Sequence, residues 1–326
     1  MAKLGIRPIV DLVHYGTPLW LRGSFLDPDY PARVAEYAVA MVERYGGIAG
    51  GWTPLNEPVV SADFSGRRGV WPPHLRGQSG HDLVLITLAE GIARTIAAIR
   101  SVRADVTIVA AEPCDVAITD EPSLEMLVAE TWQHHFLPLG LVRGRVDGAH
   151  PLYGRLVGSG VSAERLERLR TDPQTVDVVG VNFYPSMSCR RLVTIGRRLV
   201  RQNRRGGAKD LADALVRFHR HTGLPIMVTE TSDVGRVEDR ARWMDASVMA
   251  VARLRSAGVP VIGYTWFPVF SHGDWRWRRG PHSRDAYWCH MGLWDIDERL
   301  RRVRTPLADR FATLAAGGPP RWEAAA

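Results

Sequence analysis

The sequence contains little cysteine and no long apolar segment. Its three cysteines, Cys114, Cys189 and Cys289, are too few and too far apart for a disulfide scaffold or a zinc site, a usage typical of a reducing compartment. No run of about 18 uncharged apolar residues is present, and residues 1–8 lack the apolar stretch of a signal peptide. We therefore expect a cytoplasmic protein without a membrane span.

Cofactor motifs are also missing from the sequence. No glycine-rich phosphate loop follows any of the predicted strands, so nucleotide binding has little support. His81, His134 and His135 lack the spacing of metal ligands, and we interpret them as structural. The sequence predicts neither a metal nor an organic cofactor.

Acidic residues are outnumbered by basic ones. Lys and Arg total 42 against 35 Asp and Glu, which gives a formal net charge of +7 and a pI near 9.7. Most of the basic residues are arginines spread along predicted helices, so a solvated surface is the favoured interpretation and nucleic-acid binding is the weaker one. We expect no nucleic-acid partner.

Apolar runs alternate with helical patterns along the 326 residues, of which 45% are hydrophobic. Strands are predicted for residues 9–15, for a run ending at Glu57, and for residues 107–112, 176–184, 226–231 and 261–267. Helices are predicted for residues 30–45, 81–103, 123–135, 162–170, 237–257 and 306–314. We expect an α/β fold with one domain over residues 1–316 and a frayed tail over residues 317–326. Six strands do not close an eight-stranded barrel, and a doubly wound open sheet is the rival fold.

Two of the predicted strands end in a glutamate. Residues 53–58 read TPLNEP, so an apolar run reaches Glu57 and Pro58 then stops the hydrogen-bond ladder. Residues 225–230 read PIMVTE and repeat the arrangement at Glu230. For one such glutamate, an acidic residue at a helix start or a solvated loop residue is the better interpretation. If both strands belong to one parallel barrel, however, the two carboxyl groups face the same mouth.

These motifs resemble glycoside hydrolase family 1, the β-glucosidase-type barrels. The resemblance rests on residues 5–10 with His14, on residues 53–58 and 180–184, on residues 228–230 and 263–266, and on the Gly292-Leu293 pair. It implies a (β/α)8 TIM barrel whose third to eighth strands are the six predicted here, with the two opening strands absent. It assigns the general acid/base role to Glu57 and the nucleophile role to Glu230. By the same resemblance, the residues that bind the sugar are His14, Asn56, Asn182, Tyr184, Trp266, Asp274 and Trp275.

The chemistry of a glycosidase explains why two carboxyl groups are needed. One must hold a proton for the leaving oxygen while the other stays ionised, so we expect Glu57 to be protonated and a hydrogen bond from Tyr184 to keep Glu230 charged. We expect the two carboxyl groups to lie about 5–5.5 Å apart, the retaining geometry, whereas about 6.5–9.5 Å would mean inversion. Asp274 stands where the family commonly has Glu, which favours neutral sugars.

The sequence also leaves alternatives open. His14 alone could be a loop histidine, Asn182 and Tyr184 could cap a strand, and Trp266 and Trp275 could fill a core. The predicted function is that of a retaining β-glycosidase acting on small neutral glycosides without a cofactor. The alternative is a catalytically inactive truncated member of the family or a carbohydrate-binding barrel.

One stretch departs from the even spread of charge. Seven arginines and no acidic residue lie between Cys189 and Gly206. We interpret this stretch as a solvated amphipathic helix. The alternative is that its arginines recognise an anionic aglycone or a lipid head group.

Overall fold

The computed structural model describes residues 2–277 and 280–318. The chain divides into two compact units: the N-terminal unit comprises Met1–Pro113 and Met126–Gly180, and the C-terminal unit comprises Cys114–Glu125 and Val181–Ala326. Residues 319–326, the larger part of the predicted frayed tail, lie outside the described residues, and the single domain over residues 1–316 stays a prediction. No helix in the described part of the chain is long and apolar enough to cross a membrane.

Short strands alternate with helices along the described chain. The strands are β1 (Ile9–Asp11), β2 (Gly51–Thr53), β3 (Val109–Pro113), β4 (Val116–Ile118), β5 (Val178–Asn182), β6 (Cys189–Ile195), β7 (Arg198–Asn203), β8 (Ile226–Thr231), β9 (Val261–Trp266), β10 (His272–Gly273), β11 (Trp288–Cys289), β12 (Trp294–Ile296) and β13 (Arg302–Arg304). The α-helices are α1 (Tyr30–Tyr45), α2 (Pro58–Ala62), α3 (Gly77–Val102), α4 (Glu125–Val142), α5 (Tyr153–Gly158), α6 (Ala163–Thr171), α7 (Ala208–Thr222), α8 (Val237–Ser256) and α9 (Pro306–Ala315). This alternation is typical of an α/β fold.

Helices α1 and α3 pack against each other in the N-terminal unit. Val34, Ala38 and Val42 recur at helical spacing on α1 and are buried. On α3, Gly91 provides room for the ring of Tyr30, because a Cβ at that position would lie 2.8 Å from Cε1 of the ring. The close approach of the two helices therefore depends on a residue without a side chain.

The paired strands of the N-terminal unit place residues 53–58 beside the end of β3. β1 and β2 pair in parallel, with Val10 opposite Trp52. A parallel bridge joins Trp52 to Ile108, and a second one joins Asn56 to Ala111 on β3. Since parallel strands end on the same side, the segment that follows β2 lies beside the end of β3.

In the C-terminal unit, β8 and β9 pair in parallel, with Val228 opposite Tyr264. Phe183, which directly follows β5, donates its N–H to the carbonyl oxygen of Glu230 at 2.9 Å. The end of β5 therefore lies beside the end of β8, which carries Glu230.

All six predicted strands are present, as β1, β2, β3, β5, β8 and β9: β8 has the predicted bounds, β3 is shifted toward its C-terminal end, and the others are shorter. At the second one, β2 ends at Thr53, and Pro58 begins α2 instead of stopping a strand. Proline suits that position because the first turn of a helix has no intrahelical use for its N–H. The strands of the described residues form no closed barrel, since β1 pairs with β2 alone and β9 with β8 alone.

The amphipathic helix predicted for the arginine-rich stretch is wrong. The segment forms an antiparallel hairpin of β6 and β7, with Ile195 opposite Arg198 and Arg190 opposite Asn203. Gly196 has a φ of +64° at the first position of the two-residue turn, a conformation that glycine adopts without strain. The β-branched residues Val193 and Thr194 before this turn favour a strand over a helix.

Candidate active site

The backbone holds Glu57 in an unusual conformation at the edge of the N-terminal unit. The N–H of Asn56 donates to the carbonyl oxygen of Val13 at 2.9 Å, and the N–H of Glu57 donates to that of Ala111 at 2.9 Å. Glu57 itself has φ 48° and ψ 66°, in the left-handed region that residues with a side chain rarely occupy. Hydrogen bonds to Val13 and Ala111 therefore fix the segment, and they hold Glu57 in its strained backbone conformation.

Tyr15 connects the polar side chains around Glu57. Its hydroxyl donates a hydrogen bond to Oε2 of Glu57 and accepts one from Nδ2 of Asn56 at 3.2 Å. The ring of Tyr15 packs against the rings of His14 and Trp71, with centroid separations of 4.6 and 5.1 Å. Glu57 is 9% exposed, so its carboxyl group is nearly buried, and the hydroxyl of Tyr15 is its hydrogen-bond partner there.

His14 lies beside this group and has its own acidic partner. Its Nδ1 lies 2.7 Å from Oδ2 of Asp11, and its side chain is 41% exposed. In the N-terminal unit, the predicted residues His14, Asn56 and Glu57 are thus joined by contacts with Tyr15, which the sequence analysis did not select. No sequence signal pointed to Tyr15, because its hydrogen bond to Glu57 spans 42 residues.

Glu112 is a second carboxyl group of the N-terminal unit that was not predicted. It lies on β3 before Pro113, is 3% exposed, and its Oε2 has no hydrogen-bond partner in the described part of the chain. Burial, and after it the charge of Glu57, raises the pKa of Glu112 well above its ordinary value. A sequence signal existed, since residues 108–113 end in Glu-Pro after an apolar run, as residues 53–58 do.

Glu230 has a tyrosine partner in the C-terminal unit. The hydroxyl of Tyr184 donates to Oε2 of Glu230 at 2.6 Å, which is the hydrogen bond that the sequence analysis expected. Asn182 is 1% exposed, and its Oδ1 accepts a hydrogen bond from the hydroxyl of Thr229 at 2.6 Å. Two hydrogen-bonded pairs, Tyr184 with Glu230 and Asn182 with Thr229, therefore join the ends of β5 and β8.

The remaining predicted residues differ in exposure. Trp266 is 3% exposed and donates its indole N–H to the carbonyl oxygen of Met291 at 3.1 Å. Asp274 accepts hydrogen bonds from the guanidinium of Arg276 at 2.8 and 2.9 Å, and these lower the pKa of Asp274. Trp275 is 54% exposed. Trp266 thus contributes to the packing of the unit, whereas Trp275 presents its ring to solvent.

Metal ligation has no candidate among residues 2–277 and 280–318, since no group of three His, Cys, Asp or Glu side chains there could hold an ion. What these side chains can do is proton transfer and nucleophilic attack by carboxyl groups that are held by tyrosine hydroxyls.

Comparison with known proteins identifies relatives over much of the chain. A family model described as Glycosyl hydrolase family 1 matches residues 1–215. The thermostable beta-glucosidase B of Thermobispora bispora is 26% identical over 319 residues, covering 86% of this chain and 63% of that protein. Beta-glucosidase 47 of Arabidopsis thaliana is 35% identical over 74 residues, covering 22% of this chain and 14% of that protein. The chain thus spans less than two thirds of the length of these curated relatives.

Solved structures extend the likeness to nearly the whole chain. A family 1 β-glucosidase from Thermotoga maritima has a TM-score of 0.86 and 16% identity, covering 98% of this chain and 76% of that one. A β-glucosidase from the same organism in complex with deoxynojirimycin has a TM-score of 0.85 and 18% identity. At this identity the likeness shows the fold alone. The matched part of the solved structure is 76% of a protein that forms a (β/α)8 barrel.

Proposed function

Because the chain belongs to glycosyl hydrolase family 1, as its motifs predicted, we propose that it is a retaining β-glycosidase acting on the O-glycosyl bonds of small neutral glycosides. The observation that carries the proposal is the matched setting of two glutamates. Glu57 follows the parallel strand β2 and accepts a hydrogen bond from the hydroxyl of Tyr15, while Glu230 lies at the end of the parallel strand β8 and accepts one from Tyr184. Double displacement needs two carboxyl groups that are held in place.

In the first step of the proposed reaction, Glu57 donates its proton to the glycosidic oxygen as the bond to the anomeric carbon breaks. The carboxylate of Glu230 attacks that carbon and forms a covalent glycosyl ester. The hydrogen bond from Tyr184 holds the carboxylate of the nucleophile in position. In the second step, Glu57 takes a proton from water, and the water oxygen displaces Glu230. Both steps use only carboxyl groups and water.

We propose the remaining predicted residues as the sugar-binding set. They are His14, Asn56, Asn182, Trp266, Asp274 and Trp275. The carboxylate of Asp274 can accept hydrogen bonds from sugar hydroxyls and repels anionic groups, which supports neutral sugars as substrates. The exposed ring of Trp275 offers a face for stacking.

The test is turnover of a chromogenic β-glucoside by the purified chain and its variants. We expect Glu57→Gln to lower kcat by about 10²–10⁴-fold and Glu230→Gln by at least about 10³-fold. The matched control is Glu43→Gln on the exposed surface of α1, which should leave kcat unchanged.

Azide separates the two roles, because it can replace either missing carboxylate. With Glu57→Ala, azide should attack the covalent intermediate and give a β-glycosyl azide. With Glu230→Ala, it should attack the substrate directly and give an α-glycosyl azide. Wild-type protein that binds glucose but turns over no glycoside would contradict the proposal and indicate a carbohydrate-binding protein.

A further inference from the structure

The β6–β7 hairpin extends beyond the strand that supports it. β4 pairs with β6 only from Cys189 to Arg191, and beyond these residues β6 and β7 pair only with each other. Two side chains before α4 add further links to β6, since the hydroxyl of Thr119 donates to the carbonyl oxygen of Leu192 at 3.0 Å and the carboxylate of Glu121 accepts the N–H of Thr194. The hairpin tip, which we define as residues 195–201, is therefore held by its own turn and ladder.

The arginines of this segment fall into two groups. Those near the base have partners, since Arg191 pairs with Asp120 and Arg204 pairs with Asp210. Those of the tip do not: Arg197, Arg198 and Arg201 are exposed, and their guanidinium groups make no ion pair or hydrogen bond with any described residue. The tip is net positive, because residues 189–203 contain no acidic side chain and its three arginines outnumber the carboxylate of Glu121, which accepts the N–H of Thr194 beside the tip.

Two large aliphatic side chains are exposed among these arginines. Ile195 is 56% exposed and lies opposite Arg198, while Leu199 is 44% exposed and lies opposite Thr194. Neither side chain stabilises the fold by burial in this position. Residues 189–203 contain no aromatic side chain, which disfavours nucleic-acid binding because no ring is available to stack on bases.

We propose that the hairpin tip docks the protein onto an anionic lipid surface. Guanidinium groups bind lipid phosphates with paired hydrogen bonds, and the opposite signs of charge draw the tip to the membrane. Ile195 and Leu199 lie on opposite faces of the hairpin, so the tip enters end-on, and both side chains then reach the boundary between head groups and acyl chains, where apolar side chains leave water. Each arginine near such a surface contributes on the order of fivefold in affinity, so the three together contribute about 100-fold.

Cosedimentation of the full chain with vesicles tests this proposal. We expect binding to phosphatidylcholine vesicles that contain about 30% phosphatidylserine, weaker binding at about 0.3 M salt, and little binding to pure phosphatidylcholine. The triple variant R197Q/R198Q/R201Q should bind about 100-fold more weakly. The double variant I195S/L199S, which keeps every charge, should bind about tenfold or more weakly while keeping the salt dependence.

The control is the triple variant R44Q/R94Q/R220Q, which removes the same charge from exposed positions on α1, α3 and α7. It should retain binding within a few-fold, and all three variants should keep the melting temperature of the wild type. An equal loss in the control would mean that net charge alone drives binding and would overturn the proposal. So would tighter binding to an acidic peptide or to duplex DNA than to the anionic vesicles at the same salt.

Discussion

At the scale of the residue, Tyr15 and Glu57 each have a strained backbone conformation. Their φ values are +58° and +48°, in a region that costs a residue with a side chain about 1–3 kcal/mol. Such strain persists where the surrounding structure holds it, and it is concentrated at functional sites. The position of Glu57 after a strand was predictable from sequence. The contact with Tyr15 was not, because it depends on how β1 and β2 are brought side by side.

Tyr184→Phe tests the proposed support of the nucleophile. The variant loses the hydrogen bond to Oε2 of Glu230, which in a charged pair contributes about 1.5–3 kcal/mol. We expect kcat/KM for a β-glucoside to fall by on the order of 10–100-fold, measured by steady-state kinetics. Tyr37→Phe, at an exposed position on α1, is the control. Unchanged kcat/KM in Tyr184→Phe would show that the hydroxyl does not act on the nucleophile.

Glu112→Gln tests the cost of a buried carboxyl group. Burial raises the pKa of Glu112 above the value of an unfolded glutamate, about 4.3, so the folded state binds this proton more tightly than the unfolded state. The stability that this provides is complete below about pH 4.3 and is lost as pH rises toward the folded pKa. In that range the free energy of unfolding should fall by up to about 1.4 kcal/mol per pH unit.

Glutamine is always neutral, so Glu112→Gln should remove this pH dependence and be at least as stable as wild type at pH 7. Urea unfolding between about pH 4 and 8 measures both effects. The exposed Glu43→Gln should keep the wild-type slope and change stability by less than about 0.5 kcal/mol. A wild-type protein whose stability rises with pH relative to Glu112→Gln would show that Glu112 is ionised and stabilised in the fold.

At the scale of the element, the arginine-rich stretch shows why a charge pattern does not identify a secondary structure. Arginine suits an exposed helix as well as an exposed strand, so charge alone decided nothing. The deciding features are the turn glycine Gly196 and the contact with β4, which supplies a neighbouring strand for β6. The first could be read from the sequence, whereas the second exists only in the folded chain.

Helices α3 and α5 are connected by a buried ion pair in the N-terminal unit. Asp82 on α3 is fully buried and accepts hydrogen bonds from Arg155 at 3.1 and 3.2 Å and from Ser159 at 2.7 Å. Burial raises the pKa of Asp82, but the hydrogen bonds from His81 and Ser159 and the charge of Arg155 outweigh it, so this pKa lies below its ordinary value.

Asp82→Asn should therefore destabilise the protein by about 3–5 kcal/mol at neutral pH, because Arg155 is left partly buried without a counter-charge. A lowered pKa contributes stability above the unfolded value, about 3.9, and loses it as pH falls through the folded pKa. The difference between variant and wild type in urea unfolding should accordingly shrink below about pH 3.9.

Asp213→Asn is the matched control for this prediction, since its partner Lys209 is 87% exposed on the surface of α7. An exposed pair contributes less than about 1 kcal/mol. Equal losses in Asp82→Asn and Asp213→Asn would show that the buried pair does not stabilise the contact between α3 and α5.

At the scale of the whole molecule, the excess of basic residues has a local meaning. The net charge of +7 suggested a solvated surface, and many exposed arginines do pair with acidic neighbours, as Arg170 does with Glu167. The arginines of the hairpin tip differ because three of them, without a side-chain partner among the described residues, lie within the five residues 197–201, and the membrane proposal rests on this cluster. Composition gives the total charge, but only the fold decides which charges neutralise each other.

Six strands, six helices and the family could be read from the sequence. Apolar runs, turn residues and the spacing of short motifs are local properties, so they can be recognised without knowledge of the fold. Tertiary structure alone decided the partners of those residues: Tyr15 with Glu57, Glu112 in an apolar setting, and a hairpin where a helix was predicted. Hydrogen bonds and burial join residues that are distant in the chain, so no local pattern records them.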